Sequence, residues 1–306
     1  MSLLVFGHKN PDTDSICSAI SLAHLKNQIG VEATPYALGE VRKEAQYALD
    51  YLKIEAPELL EKVEEGQEVI LVDHNEFNQS VDGIEKAKII EVIDHHRISN
   101  FETSDPLFYT ARPYGCTSTI LYEEFLQRNI KIEKEEAVLM ASAIISDTLL
   151  LKSPTTTQHD KKALEELAKI AGIDVNEYGL AMLKAGTDLD DFSAEELVNL
   201  DAKKLDKDGK KFVIAQVNTV AISEVLKRQD ELEKAMKEEM TKNELQLFVL
   251  AITDILNSNS EIIALGDNAE DIIEKAFNKK LEENRAFLEG VVSRKKQLLP
   301  NIDKNI

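Results

Sequence analysis

The stretch LLVFGHKNPDTDSICSAISLAHLKNQIG, residues 3–30, predicts a strand, a loop and a helix in direct succession. LLVFG is a short apolar run typical of a buried strand, and the segment from Asp14 onward is a predicted helix with Gly30 as its C-cap. The loop between them holds His8, Asp12 and Asp14 within seven residues. Three potential metal ligands therefore follow an apolar strand directly.

The first half of the chain continues this alternation of strands and helices. Further strands are predicted at VEATPYAL (31–38), EVILVD (68–73) and IIEVID (89–94), and the last two are apolar enough for buried strands of a parallel sheet. Helices are predicted at 42–53, 116–128, 134–149, 158–171 and 174–185. The alternation predicts an α/β domain with a parallel sheet.

A change of composition predicts a second, smaller α/β domain. An Asp-rich stretch at 187–191 is followed by Ser193, a predicted helix N-cap. Beyond it come strands at KKFVIAQVNTV, LQLFVLAITDI and 261–265, a charged helix at 222–240, a helix at 268–279 and the closing segment EGVVSRKKQLLP. We predict domains at 1–188 and 195–306, joined by a linker at 189–194.

Composition predicts a soluble globular protein of the cytoplasm. Apolar residues make up 43% of the 306 and charged residues 30%, and no apolar run approaches the ~20 residues of a membrane span. The N-terminus has no basic region, so a signal peptide is not expected. Cys17 and Cys116 are the only cysteines, which favours a reducing compartment and argues against disulfides or a zinc–thiolate site.

The net charge of −20 argues against nucleic acid as a partner and gives local clusters of basic residues more weight. VVSRKKQ places Arg294 and Lys295 after a predicted β-branched strand, where they would form a clamp for an oxyanion. LDAKKLD (200–206) offers Lys203 and Lys204, and the pattern does not choose between them.

Acidic and imidazole side chains follow three of the predicted strands. Because the carboxyl ends of parallel strands meet at one edge, we expect these groups to converge there. The groups are His8, Asp12 and Asp14 after the first strand, Asp73, His74 and Asn75 after EVILV, and Asp94, His95 and His96 at the end of IIEVID. Asp147, in IISDT at the end of an apolar helical run, is a fourth contribution.

So many carboxylates require cations, because repulsion and burial would otherwise oppose their ionisation. Mixed carboxylate and imidazole ligands without sulfur suit Mn²⁺, Mg²⁺, Co²⁺ or Fe²⁺ better than structural zinc. The number of ligands favours two ions bridged by one carboxylate, as in two-metal phosphoryl-transfer sites.

The motifs GHKNPDTDS, DHN, DHH and SDT, in this order, resemble those of the DHH phosphoesterase superfamily. With the C-terminal SRKKQ, the chain resembles the family II (manganese-dependent) inorganic pyrophosphatases over both domains. The resemblance implies a two-domain α/β fold with the active site in the cleft between the domains. It also implies hydrolysis of pyrophosphate to two phosphates.

The resemblance further implies a role for each motif residue. One metal would be held by His8, Asp12 and Asp73, and the other by Asp14, Asp73, His95 and Asp147. His96 would contact substrate and protonate the leaving phosphate. Lys203, Arg294 and Lys295 match phosphate-binding positions, and the DAK motif selects Lys203 over Lys204.

The family also implies cofactors and partners. These are two Mn²⁺ per subunit, replaceable by Co²⁺, an additional Mg²⁺ arriving with pyrophosphate, and a homodimer formed through the N-terminal domain. The spacing between DHN (73–75), DHH (94–96) and SDT (146–148) leaves no room for inserted CBS domains. No nucleic-acid or membrane partner is expected.

Three alternatives remain at this stage. An exopolyphosphatase would share this type of second domain, and activity on long polyphosphate would distinguish it. An exonuclease or cyclic-dinucleotide phosphodiesterase of the superfamily would carry a GGGH-type motif, which the chain lacks. A non-catalytic metal- or nucleotide-sensing protein would have no use for a full ligand set together with a basic clamp.

Overall fold

The computed structural model describes residues 2–207 and 209–306. The chain divides into two compact units, the first ending at Gly186 and the second beginning at Thr187. Within the described residues, no helix combines the length and apolar character needed to cross a membrane.

The first unit is built on a six-stranded sheet in the order β3-β2-β1-β4-β5-β6, with every neighbouring pair parallel. Its strands are β1 (Leu3–Phe6), β2 (Ala33–Ala37), β3 (Glu58–Leu59), β4 (Glu68–Val72), β5 (Lys88–Asp94) and β6 (Phe108–Ala111). The predicted parallel sheet is confirmed. Sequence reasoning missed the two edge strands, because β3 has only two residues, both exposed, and β6 has no buried residue.

The predicted helices of the first unit are confirmed within two residues at each end. They are α1 (Thr13–Gln28), α2 (Lys43–Leu52), α3 (Thr117–Gln127), α4 (Lys134–Thr148), α5 (Gln158–Ala171) and α6 (Val175–Gly186). The C-cap of α1 is Ile29 rather than Gly30, which follows it with φ +82°. Glycine fits there because it adopts the left-handed region without a Cβ penalty.

The second unit has a five-stranded sheet in the order β11-β10-β9-β8-β7, in which only β8 and β9 pair in parallel. The strands are β7 (Ala202–Lys207), β8 (Lys210–Thr219), β9 (Leu247–Asp254), β10 (Asn259–Gly266) and β11 (Arg285–Glu289). The helices are α7 (Ala194–Asn199), α8 (Ile222–Leu226), α9 (Gln229–Asn243), α10 (Ala269–Phe277) and α11 (Leu299–Asp303). Separate apolar clusters cover the two faces of the sheet.

The predicted strands KKFVIAQVNTV, LQLFVLAITDI and 261–265 and the predicted helix at 268–279 are confirmed as β8, β9, β10 and α10. Two other predictions for the second unit were wrong, and the strands β7 and β11 were missed. The charged segment predicted as one helix forms two, α8 and α9. The segment AKKLD (202–206) lies in strand β7. The strand before the basic motif ends at Glu289, so Arg294 begins a helical turn rather than following a strand. Ser193 is the N-cap of α7, as predicted, and its hydroxyl accepts from the Glu196 amide.

Candidate metal centre

The β1–α1 turn places the first three predicted ligands. Asp12 is the N-cap of α1, and its Oδ1 accepts a hydrogen bond of 3.0 Å from the Ser15 amide. The turn is tight, because a Cβ on Gly7 would lie 2.5 Å from Ser15 Cβ. His8 Nε2 lies 3.5 Å from Asp12 Oδ2 and 3.5 Å from Asp73 Oδ2.

Asp73 lies at the centre of the cluster. It directly follows β4, adopts a left-handed backbone (φ +59°) and is buried. Its Oδ2 accepts a 2.7 Å hydrogen bond from the Ser15 hydroxyl, and its Oδ1 lies 3.4 Å from His95 Nε2. The two carboxylate oxygens therefore approach different histidines.

His95 and Asp147 form the other side of the cluster. His95 Nδ1 lies 3.0 Å from the Tyr114 carbonyl oxygen, which can only accept, so Nδ1 carries the proton. The opposite nitrogen, Nε2, lies 3.7 Å from Asp147 Oδ2. The hydrogen bond from Nδ1 to the Tyr114 carbonyl is of the kind that orients metal-binding histidines and fixes their tautomer.

Asp14 is fully buried and is held by the N-terminus of α3. Its Oδ2 accepts from the Thr117 amide (2.7 Å) and its Oδ1 from the Ser118 amide (3.2 Å). The Ser18 hydroxyl adds a 2.7 Å hydrogen bond to Oδ1. Free amides at a helix N-terminus stabilise a negative charge, which lets this carboxylate remain buried.

The structure brings all six predicted metal-binding residues together. Three sets each offer ligand atoms within 4.8 Å of one another, namely His8–Asp12–Asp73, Asp14–Asp73–His95–Asp147 and Asp73–His95–His96. Asp73 belongs to every set. All the donors are oxygen or imidazole nitrogen, a combination that suits Mn²⁺.

Burial and the proximity of several carboxylates shift the pKa values of the cluster. Burial, reinforced by the charge of Asp14, raises the pKa of Asp73 to about 7 and raises the pKa of Asp147 well above its ordinary value. Burial opposes a charged His95, but its contact with Asp73 and the charge of Asp14 outweigh this and raise its pKa to about 9. Divalent cations would remove the repulsion behind these shifts, so the residues fit such ions.

Three other motif residues support the cluster rather than face it. His74 is buried, with Nδ1 donating to the Val72 carbonyl (2.9 Å) and Nε2 accepting from the Ser80 hydroxyl (3.1 Å). Burial lowers its pKa to about 4. Asn75 Nδ2 donates to Asp94 Oδ2 over 2.6 Å, and Asp94 Oδ1 accepts from His96 Nδ1 over 3.0 Å.

The predicted basic residues of the second unit occupy β7 and the turn before α11. Arg294 Nη1 lies 2.8 Å from Asp201 Oδ1, and its amide donates to Gln216 Oε1 over 2.9 Å. Lys295 is exposed. Gln216 Nε2 donates to the Val292 carbonyl over 2.9 Å, so one buried side chain holds the backbone on both sides of Ser293.

The pairing of β7 separates Lys203 from Lys204. Lys203 pairs with Ile214, which packs in the apolar cluster with α10 and α11. Lys204 pairs with Val213 on the opposite face, and its Nζ donates to Asn243 Oδ1 of α9 over 3.0 Å. Lys203 therefore shares its sheet face with Gln216, two residues beyond Ile214 on β8.

Sequence reasoning missed the residues that hold the ligands in place. Ser15, Tyr114, Thr117 and Ser118 contact Asp73, His95 or Asp14 through hydroxyl or main-chain groups. Such residue types are common, and most of these contacts span long stretches of sequence. No local pattern distinguishes them.

Two family models match the chain. The model of the DHH family, N-terminal domain, matches residues 2–144, and the model of the DHHA2 domain matches residues 180–305. Together they account for most of both units.

Curated relatives are similar over nearly the whole length. The chain is 58% identical to the "Probable manganese-dependent inorganic pyrophosphatase" of Bacillus velezensis and 57% identical to the "Manganese-dependent inorganic pyrophosphatase" of Bacillus subtilis, each over 299 residues. These alignments cover 97% of the chain and 96% of each relative.

Solved structures show the same architecture. The "Crystal structure of Methanococcus jannaschii putative family II inorganic pyrophosphatase" matches with a TM-score of 0.63 and 40% identity, over 100% of this chain and 99% of that one. An exopolyphosphatase-related protein from Bacteroides fragilis matches with a TM-score of 0.52 and 14% identity, over 99% and 92% of the two chains. At that identity, the second match shows a shared fold only.

Proposed function

We propose how the site works from the premise that the chain belongs to the manganese-dependent (family II) inorganic pyrophosphatases. The protein is a Mn²⁺-dependent hydrolase that cleaves inorganic pyrophosphate to two phosphates. The observation that carries this function is the position of Asp73, whose carboxylate belongs to both the His8–Asp12 and the Asp14–His95–Asp147 donor sets.

Two ions would occupy these donor sets. His8 and Asp12 would hold one, Asp14, His95 and Asp147 would hold the other, and Asp73 would bridge them. When bound, the ions acidify a water and neutralise charge on the phosphates. Ser15 and Thr117 fix the two oxygens of Asp73 at 2.7 and 3.3 Å, so the bridging carboxylate is oriented before metal binds.

His96 would protonate the leaving phosphate. Its ring is half-exposed, and its Nδ1 contacts Asp94, which raises the pKa of His96. This contact therefore favours the cationic form of the imidazole, which is the form that can donate a proton. With Nδ1 held by Asp94, Nε2 is the nitrogen that donates to substrate.

Lys203, Arg294 and Lys295 would bind the phosphate groups. The guanidinium of Arg294 offers paired N–H donors, and the two lysines act as point charges. The ion pair between Arg294 and Asp201 orients the long side chain of Arg294.

The proposal also includes the metal ions, the oligomeric state and the domain bounds. The functional protein would hold two Mn²⁺ per subunit, accept Co²⁺ in their place and take up a further Mg²⁺ with pyrophosphate. It would act as a cytoplasmic homodimer, with domains at 1–188 and 195–306 and a linker at 189–194. Both cysteines are free and buried, in keeping with a reducing compartment.

Phosphate release by metal-stripped protein tests this function. Activity on pyrophosphate should return with Mn²⁺ or Co²⁺, more weakly with Mg²⁺, and not without metal. The same preparation should act poorly on long-chain polyphosphate. Faster release from polyphosphate than from pyrophosphate would favour an exopolyphosphatase, and no release from either with any metal would refute the proposal.

A further inference from the structure

A fully buried carboxylate outside the donor sets, Asp160, is bonded to the segment that supports them. Asp160 belongs to the first turn of α5. Its two oxygens accept from the Gly115 amide (3.1 and 3.0 Å) and the Thr119 hydroxyl (2.6 Å). The amide and hydroxyl of Thr157 also donate to it, each over 2.6 Å.

The contacts of Asp160 join α5 to the start of α3. Thr157 is the N-cap of α5 and forms a capping box with Asp160, whereas Gly115 and Thr119 belong to the loop before α3 and its first turn. A carboxylate with this many hydrogen bonds is strongly oriented, and losing one partner leaves buried donors unsatisfied. The carboxylate therefore fixes the position of Gly115.

The residues on either side of Gly115 make contacts with three of the proposed ligands. Tyr114 accepts from His95 Nδ1 through its carbonyl oxygen. Thr117 donates to Asp14 through its amide and to Asp73 through its hydroxyl. All of these supporting groups lie within two residues of the amide that Asp160 holds.

We propose that Asp160 is a positioning residue for the metal centre. It fixes the Tyr114–Ser118 segment so that His95, Asp14 and Asp73 are oriented before metal binds. The inference rests on the proposed function, since it assigns these residues to Mn²⁺. The ion of the Asp14–Asp73–His95–Asp147 set should depend most on Asp160, because this set includes all three supported residues.

A capping box alone would stabilise α5 without affecting the metals. The second unit contains a matched control, in which Ser193 and Glu196 form the same type of box at α7. Glu196 belongs to the second compact unit, and its carboxylate accepts hydrogen bonds from the amide and hydroxyl of Ser193. Glu196→Gln therefore removes a capping carboxylate but leaves the metal-supporting segment intact.

The experiment measures Mn²⁺ binding to metal-stripped, full-length protein by equilibrium dialysis and calorimetry. Asp160→Asn keeps the side-chain volume but turns one acceptor into a donor that faces other donors. We expect it to weaken one of the two ions roughly 10- to 100-fold, the usual effect of losing a group that orients metal ligands. Glu196→Gln should bind both ions as the parent protein does.

Gly115→Ala provides a second route if Asp160→Asn does not fold. A Cβ at Gly115 would lie 2.8 Å from Asp160 Oδ2, so this variant moves the same segment while retaining the carboxylate. It should show the same selective loss. At a pH well above the His95 pKa of about 9, where the ring of the metal-free protein is neutral, its ¹⁵N shifts should also lose their preference for the Nδ1–H tautomer in either variant.

The inference is overturned if a folded Asp160→Asn or Gly115→Ala variant binds both ions as tightly as Glu196→Gln does, or if the His95 tautomer is unchanged. Failure of the proposed function looks different. In that case the parent protein would bind Mn²⁺ without releasing phosphate from pyrophosphate, and the binding data would still decide the role of Asp160.

Discussion

His95 donates from Nδ1 to the main-chain carbonyl oxygen of Tyr114 over 3.0 Å. This contact turns the other ring nitrogen toward Asp73 and Asp147. In metal-free protein the same nitrogen is protonated near neutral pH, because the pKa of His95 is raised to about 9. A metal ion must therefore displace a proton to bind there.

We predict that Mn²⁺ binding releases protons at pH 7.5. At this pH metal-free His95 is cationic and must become neutral to coordinate, so affinity should rise with pH and level off above about 9. Calorimetry in buffers of different ionisation enthalpy measures the number of protons released. Binding heats that do not depend on the buffer would contradict the prediction. His24 lies outside the donor sets, so His24→Asn is the control and should release the same number of protons as the parent protein.

Asp73→Ala should weaken both metal sites, whereas His8→Ala should mainly weaken one. The reason is geometric, because Asp73 belongs to both proposed donor sets and His8 to only one. Equilibrium dialysis with Mn²⁺ gives the number of ions bound by each variant. If both variants lost the same single ion, Asp73 would not be a bridge.

The outline of the metal centre could be predicted because its ligands follow short apolar runs. Strand ends converge at one edge of a parallel sheet, so the sequence pattern alone brings His8, Asp73 and His95 together. The strand pattern does not separate the roles within the two Asp-His pairs, and only the family resemblance selects Asp73 and His95. In Asp73–His74 the aspartate faces the cluster and the histidine is buried in internal hydrogen bonds, whereas in Asp94–His95 the roles are reversed.

Two segments of the second unit, β7 and the residues before Ser293, were harder to predict. β7 has no buried residue, and its sequence AKKLDK does not alternate apolar with polar residues, so its strand character depends on pairing with β8. The apolar pair Val291–Val292 predicts a strand. In the structure, the side chains of Gln216 and Gln297, rather than a neighbouring strand, form hydrogen bonds with the backbone of residues 290–294. Both features depend on specific hydrogen bonds that the pattern of apolar and polar residues does not reveal.

Gly7→Ala should destabilise the metal-free protein. Its Cβ would lie 2.5 Å from Ser15 Cβ and 2.8 Å from Ser15 Cα, and backbone atoms cannot yield as a flexible side chain does. Overpacking of this kind costs about 1–3 kcal/mol. Denaturant unfolding should show a lower midpoint. Gly66→Ala is the control, because φ is +76° there and a Cβ would meet open space, so it measures the cost of the left-handed backbone alone. If Gly7→Ala lowered the free energy of unfolding by no more than Gly66→Ala does, the clash with Ser15 would be contradicted.

Lys203→Ala should reduce kcat/KM for pyrophosphate, and Lys204→Ala should not. Lys203 lies on the sheet face that carries Gln216, which binds the Arg294 amide, whereas Lys204 contacts Asn243 on the other face. Loss of a hydrogen bond to a charged group costs about 1.5–3 kcal/mol, which corresponds to roughly 10- to 150-fold. An exposed lysine without such a role should change the value by less than about 0.5 kcal/mol. Equal effects in the two variants would refute the assignment of Lys203.

Arg294→Ala should reduce kcat/KM and leave both Mn²⁺ ions bound. Removing one partner of a buried charged contact costs about 2–5 kcal/mol, or roughly 30-fold to several-thousand-fold in rate. Arg294→Lys should recover only part of this loss, because an ammonium cannot reproduce the two parallel donors of a guanidinium. Lys296→Ala, a change at an exposed neighbour, is the matched control and should have little effect.

Steady-state kinetics at saturating Mn²⁺ and a metal count on the same samples separate the outcomes for Arg294. Loss of activity with both ions retained is expected if Arg294 binds phosphate and the metal ligands all belong to the first unit. Near-normal kcat/KM in Arg294→Ala would show that its pairing with Asp201 is only structural. Loss of metal together with activity would show that the second unit also supports the metal centre, contrary to the proposed division of roles.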